Sequence, residues 1–266
     1  MNQVTSRVAL VTGAANGIGR ATAVQLLHRG WTVGAFDIAE AGLADLHDLA
    51  AGLGAQVITG KLDVAEPASW EAALDLMPER LDLLVNNAGI LSSGPFHETP
   101  IERHRAIVDV NVSGVLNGAH SCFERLRRTP GATMVNLCSA SALYGQPNLV
   151  TYSATKFAVK GITEALDLEW AQYDIRVLDL MPLFVQTQMV TDMKVKALGT
   201  LGVQLGEDDV AAALIDAVDH PPATFLARHL RNVHRPIGSQ AKLFAALAQL
   251  SPNWANRLVN KRLAGH

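Results

Sequence analysis

A doubly wound α/β fold, one parallel sheet with helices on both faces, is predicted by three observations. Short apolar runs of strand length alternate with helix-spaced stretches from residue 7 to residue 180. The first run, Arg7-Val8-Ala9-Leu10-Val11-Thr12, opens directly into a glycine-bearing loop. No Pro/Gly/Ser linker, low-complexity run or fixed-period repeat divides the 266 residues, so a single domain is expected over 1–266. Residues 17–29 place Ile18, Ala21, Val24, Gln25 and Leu27-His28 at helical spacing, with Gly30 as the stop. Thr32-Val33-Gly34-Ala35-Phe36 is the second strand and ends at Asp37. A helix near 40–52, a strand over 55–60, a helix over 67–77 and the strand Leu81-Asp82-Leu83-Leu84-Val85 continue the alternation. A long helical region spans 100–128, and Ala132-Thr133-Met134-Val135-Asn136-Leu137 is the fifth strand. A helix over 150–173 leads to Ile175-Arg176-Val177-Leu178-Asp179-Leu180, the sixth. The repeated strand–helix unit requires parallel strands joined by right-handed crossovers. Beyond it, an apolar, Met-rich segment with glycines at 199, 202 and 206 makes residues 183–206 a candidate substrate lid. The remainder starts with a possible strand, Ala223 to Ala227, and finishes helical.

Composition narrows the function. No apolar run is long enough to span a bilayer, and the first residues contain no secretory apolar core. Cys122 and Cys138 form neither a metal spacing nor a disulfide framework, which suits a reducing, cytoplasmic location and buried thiols. The nine His residues show no ligand spacing, so no metal site is expected. Charge is unevenly spread. All 25 acidic residues and 15 of the 22 Lys and Arg lie at or before Asp219, a net of −10; the rest of the chain carries +7. That basic tail, about 228–266, is expected to pack back on the acidic body or on another subunit, rather than on a membrane, because Pro236 and Pro252 break it. Dispersed basic residues and few aromatics argue against nucleic acid.

Two constellations carry chemistry. Gly13, Gly17 and Gly19, with Asn16 and Ile18 between them, occupy the turn from first strand to first helix. Glycines there allow a tight turn and a close approach of backbone to a pyrophosphate, which a helix N-terminus attracts. Asp37, closing the second strand, can accept hydrogen bonds from ribose hydroxyls and would repel a 2′-phosphate; neither Asn16 nor Ile38 is a base that would offset it. NAD is therefore expected in preference to NADP. Asp63-Val64 ends the third strand, within reach of an adenine, and Asn87-Ala88-Gly89 follows the fourth. The second constellation is Asn111, Ser139, Tyr152 and Lys156. Tyr152 and Lys156 are four apart and stack on one helical face. An ammonium so close is expected to favour phenolate over phenol, making Tyr152 a proton donor and acceptor near neutral pH.

In this order and on these elements, the T-G-x-x-x-G-x-G loop at 12–19, Asp63-Val64, Asn86-Asn87-Ala88-Gly89, Asn111, Ser139, Tyr152-x-x-x-Lys156 and Pro182 with Thr187 resemble the short-chain dehydrogenase/reductase family from about Arg7 to Thr187. The resemblance implies a Rossmann-like domain, a nicotinamide cofactor, and a homodimer or homotetramer paired through the helices near 100–128 and 150–173. It implies that Tyr152 exchanges the proton with the substrate oxygen, that Lys156 lowers the Tyr pKa and binds the nicotinamide ribose, and that Ser139 polarises the substrate oxygen. Asn111 would hold a water of the proton relay, and Thr187 the carboxamide, with Pro182, Leu183 and Val185 beside it. Leu183 stands where the family usually has glycine. Leu91, Leu143, Phe184, Met189 and Met193, with Ser139, are the expected substrate residues; their lipophilic character points to an apolar secondary alcohol or ketone. Two alternatives compete: an NADPH-linked 3-oxoacyl reductase, which would want a base at Asn16 or Ile38, and a non-catalytic dinucleotide sensor or scaffold, which would not need the intact tetrad.

Overall fold

Seven parallel strands in the order β3-β2-β1-β4-β5-β6-β7 form the centre of the protein. They are β1 Val8–Thr12, β2 Thr32–Asp37, β3 Gln56–Lys61, β4 Leu83–Asn86, β5 Thr133–Leu137, β6 Arg176–Pro182 and β7 His234–Ile237. The computed structural model describes residues 6–183, 185–186, 205–221 and 232–250. Strands β1, β2, β4 and β5 are buried along their whole length, as their unbroken apolar runs require. The strand order reverses between β1 and β4, and ligands of open α/β sheets bind at that switch point, beyond the carboxyl ends of the strands.

The helices are α1 Gly17–His28, α2 Asp45–Leu53, α3 Pro67–Asp75, α4 Ile101–Val108, α5 Gly114–Arg128, α6 Val150–Trp170, α7 Glu207–Asp219 and α8 Ser239–Leu250. On one face of the sheet Ala23, Leu26 and Leu27 of α1 pack with Leu46 of α2 and Val210 and Leu214 of α7. On the other, Trp70 and Leu74 of α3 meet Cys122 and Leu126 of α5, and Trp170 at the end of α6. Both thiols are buried, and that burial pushes each up to about 12, so they are inert filler.

Two expectations are corrected here. The helical region 100–128 is interrupted by a π-helical turn, Asp109–Ser113, which splits it into α4 and α5 and carries Asn111. The helix near 40–52 begins as a 3-10 turn, Glu40–Leu43, before α2. The last described strand is β7, and the possible strand Ala223 to Ala227 lies outside the described residues. Pro236 does not break β7, because among the described residues β7 pairs with β6 alone, and an edge strand tolerates a residue without a backbone donor. The tail's first part thus packs back on the body: His234 Nδ1 and Nε2 meet Asp179 Oδ2 at 2.7 Å and Glu164 Oε1 at 2.6 Å. Most of the segment 183–206 lies outside the described residues. Its two ends are drawn together, with Val185 bridging Leu205 and Gln186 N donating to the Leu205 carbonyl at 2.9 Å.

Candidate active site

The turn after β1 is built by close backbone contact. Gly13 and Gly17 have φ of +65° and +59°, in the left-handed region. A Cβ on Gly19 would lie 2.1 Å from the Gly13 carbonyl oxygen and 2.4 Å from Asn87 Nδ2, so only glycine lets α1 start so near the loop. Asn87 Nδ2 donates to the carbonyls of Thr12 (2.9 Å) and Gly13 (3.0 Å), and Thr12 Oγ1 accepts from Asn87 N and Ala88 N, both at 3.0 Å. The two strand ends at the switch point are thereby fixed to each other. Asp37 closes the far side. Its Oδ2 accepts from Ala15 N at 3.0 Å and its Oδ1 from Ala39 N at 2.9 Å, leaving further lone pairs on both oxygens. Arg20, the base nearest the glycine turn in sequence, is paired with Asp45.

A cavity of about 540 Å³ runs from this loop across the sheet edge. Gly13, Asn16, Gly17, Ile18, Asp37, Asp63, Val64, Asn87, Ala88 and Gly89 line one end; Leu91, Ser139, Tyr152, Lys156, Pro182, Leu183 and Val185 line the other. Lys156 is the one cationic lining residue among those described. These predicted residues are therefore brought together. Gly19 lies beneath the loop, not on the cavity wall. Leu143 is not among the described lining residues; it packs against the cluster of Val115, Cys138, Ala142, Val159 and Met181. Phe184, Thr187, Met189 and Met193 lie outside the described residues. Sequence reasoning missed Ile38, Leu62, Ile90, Ser141, Gln146 and Leu149, which also line the cavity. For Ser141 and Gln146 a signal existed, since they fall between Ser139 and Tyr152.

Tyr152 and Lys156 share one face of α6, with the ammonium 5.5 Å from the ring centroid. The expected acidification of the phenol is corrected by the surroundings. Burial pushes Tyr152 up to about 12, against the lowering effect of its hydrogen bond with Ser139. Lys156 is itself pushed down by burial, and its Nζ donates to the Leu137 carbonyl at 2.7 Å. The protein alone thus holds a neutral phenol, a proton donor, next to Ser139. The Asn111 side chain is taken up internally. Oδ1 accepts from Ile90 N at 2.8 Å, and Nδ2 donates to the Ile90 carbonyl at 2.9 Å and to Thr155 Oγ1 at 3.1 Å. It ties the loop that follows Gly89 to α6. Ser139 Oγ accepts from Ser141 N and donates to Ser141 Oγ, both at 3.1 Å. Among the described residues no cluster of three His, Cys, Asp or Glu could hold a metal, and no helix is long and apolar enough to cross a membrane.

The chain is similar to known proteins in sequence and in fold. The family profile described as short chain dehydrogenase matches residues 7–197. The cyclohexanol dehydrogenase of Acinetobacter sp. (strain SE19) is 32% identical over 211 residues, covering 76% of this chain and 84% of that protein. The structure of the 3-ketoacyl-(acyl-carrier-protein) reductase of Brucella melitensis complexed with NADH is similar with a TM-score of 0.77 at 28% identity, over 88% of this chain and 98% of that one. The alcohol dehydrogenase of the archaeon Thermococcus sibiricus complexed with 5-hydroxy-NADP gives a TM-score of 0.76 at 25% identity, over 87% and 96%.

Proposed function

This chain belongs to the short chain dehydrogenase family and is an NAD(P)-dependent oxidoreductase acting on CH–OH donors, and from that premise we propose that it interconverts a largely apolar, cyclic secondary alcohol and its ketone with NAD(H) preferred. One observation carries the reading: Tyr152, Ser139 and Lys156 meet at one end of the same cavity whose other end is the Gly13–Gly17 turn and Asp37. The similarity to a cyclohexanol dehydrogenase supports a ring alcohol, and Ile90, Leu91, Leu149 and Leu183 supply apolar walls for it.

The dinucleotide, when bound, supplies the hydride acceptor or donor. The chain's residues do the rest. The turn of Gly13, Asn16, Gly17 and Ile18 offers backbone N–H groups and the α1 N-terminus to a pyrophosphate. Asp37 would accept from the adenosine ribose, and its carboxylate disfavours a 2′-phosphate because Arg20 is already spent on Asp45. Asp63 and Val64 would flank the adenine, and Asn87, Ala88 and Gly89 the middle of the groove. Pro182, Leu183 and Val185 would back the nicotinamide.

In the reducing direction Ser139 polarises the carbonyl oxygen and Tyr152, held neutral by burial, gives it a proton. In the oxidising direction Tyr152 must first lose that proton, and the Lys156 ammonium close to its ring then stabilises the phenolate. Asn111 acts through position: it fixes the backbone at Ile90 against α6. A 3-oxoacyl reductase is less well supported, because Asn16 and Ile38 offer no base to an NADPH phosphate.

Assembly is part of this proposal. Val150, Phe157 and Leu168 on α6, with Leu116 on α5 and Val108 on α4, expose apolar side chains at helical spacing, which supports a homodimer or homotetramer formed across α4, α5 and α6. Two unpaired, buried thiols suit a cytoplasmic location. The activity is tested by following nicotinamide absorbance with a panel of secondary alcohols and either NAD or NADP. Tyr152→Phe is expected to lower kcat by about 10³-fold or more while cofactor affinity changes little. Unchanged turnover would contradict the mechanism.

A further inference from the structure

The cavity has a polar corner that the reaction, as derived above, leaves unused. Gln146 lies in the loop between the 3-10 turn Ala140–Ala142 and α6, and its side chain lines the cavity with Ser141, Leu149 and Leu91. It is 7% exposed. Its carboxamide is held at both ends: Oε1 accepts from Ser141 Oγ at 3.2 Å, and Nε2 donates to the Tyr144 hydroxyl at 3.3 Å. Its backbone N donates to Ser153 Oγ at 3.1 Å, which anchors the loop independently of the side chain. One amide hydrogen and one Oε1 lone pair have no partner among the described residues. Burying such capacity between apolar walls is costly unless something polar completes it. Through Ser141 the carboxamide is also joined to Ser139 Oγ, so it sits two hydrogen bonds from the hydroxyl that polarises the substrate oxygen.

We infer that the substrate carries a second oxygen, across the ring or short chain from the reacting carbon, and that Gln146 recognises it. The inference rests on the proposed alcohol–ketone activity and narrows its substrate class to diols, hydroxyketones and diketones. A fixed carboxamide offers both a donor and an acceptor, so it pairs equally with a hydroxyl and with a carbonyl oxygen. An analogue without that oxygen leaves the amide unpaired, which is the arrangement by which buried polar groups discriminate most strongly. Gln146 is thus a specificity residue and takes no part in moving the hydride or the proton.

The test compares kcat/KM for cyclohexanol with kcat/KM for cyclohexane-1,3-diol and trans-cyclohexane-1,4-diol, in wild type and in Gln146→Met, with NAD. Wild type is expected to favour at least one diol by about tenfold or more, and Gln146→Met to reduce that preference by about tenfold, mainly through KM of the diol. A wild type that treats diol and cyclohexanol alike overturns the inference, as does a substitution that leaves the ratio unchanged because both substrates suffer equally. Gln146→Leu, which removes donor and acceptor alike, gives the same readout should the Met variant fold poorly. Loss of all turnover with every alcohol, and with NADP as well, overturns the activity and this inference together, whereas turnover without discrimination overturns the inference alone.

Discussion

Asp37 shows how one side chain serves two ends. It caps the turn at Ala39 and holds Ala15, yet it keeps lone pairs towards the cavity. Asp37→Asn removes the charge while one oxygen can still accept a backbone hydrogen bond. The ratio of kcat/KM for NAD over NADP is expected to fall by about tenfold or more, which steady-state assays with both cofactors would measure. An unchanged ratio would mean that selectivity is set elsewhere. Tyr152 and Lys156 teach the opposite lesson at the same scale. Their spacing made them neighbours, but burial pushes the phenol up to about 12 and the ammonium down, so in the protein alone desolvation outweighs their proximity. Lys156 spends its nearest hydrogen bond on the Leu137 carbonyl, a partner on β5 that no helical spacing could disclose.

At the scale of elements, the β1–α1 turn and the β6–β7 edge are the sensitive joints. Gly19→Ala would force its Cβ against Gly13 and Asn87, so α1 must shift from the turn. A loss of about 1–3 kcal/mol is expected in denaturant unfolding, with weakened NAD binding by titration. At the other joint His234 contacts Asp179 and Glu164, and Lys160 lies 3.6 Å from Glu164. Burial acts to lower the His234 pKa, but hydrogen bonds to Asp179 and Glu164 outweigh it, and the imidazole stands above its usual value despite the opposing charge of Lys160. Asp179 is likewise raised, by its own burial, in spite of His234, Lys160 and Thr163. A raised native pKa gives stability that is complete below the unfolded value and is lost as pH climbs through the native one. The midpoint of thermal unfolding should therefore fall as pH rises above about 6.5, the ordinary His pKa. His234→Gln should flatten that slope; a wild type whose midpoint holds level across that range would disprove the coupling.

For the whole molecule, the parallel sheet buries two faces of apolar strands, while the outer surfaces of α4, α5 and α6 keep Val108, Leu116, Phe157 and Leu168 in solvent. Phe157→Glu puts a charge in the middle of that surface and touches neither the cavity nor the sheet. It should lower the sedimentation mass to that of one chain while circular dichroism stays the same. A mass equal to wild type would place the assembly interface elsewhere, and a wild type that already sediments as one chain would refute the assembly.

The alternation of strands and helices, the glycine turn and the shared helical face of Tyr152 and Lys156 were legible because they rest on local rules: apolar period, turn chemistry and the one-turn stacking of residues four apart. The packing of Leu143 against Cys138 and Met181 was hidden because loop side chains have no period, and the same absence concealed Ser141 and Gln146 as cavity residues. The π-helical turn at Asn111 was hidden since apolar spacing runs through it unchanged, and β7 because an edge strand carrying Pro236 lacks the apolar run of a central one. Long-range packing settled what remained, namely which groups lose their water, which edges of the sheet meet, and what a buried charge finds as its partner. Those are properties of neighbours far apart in the chain, and desolvation, unlike periodicity, belongs to the packed molecule.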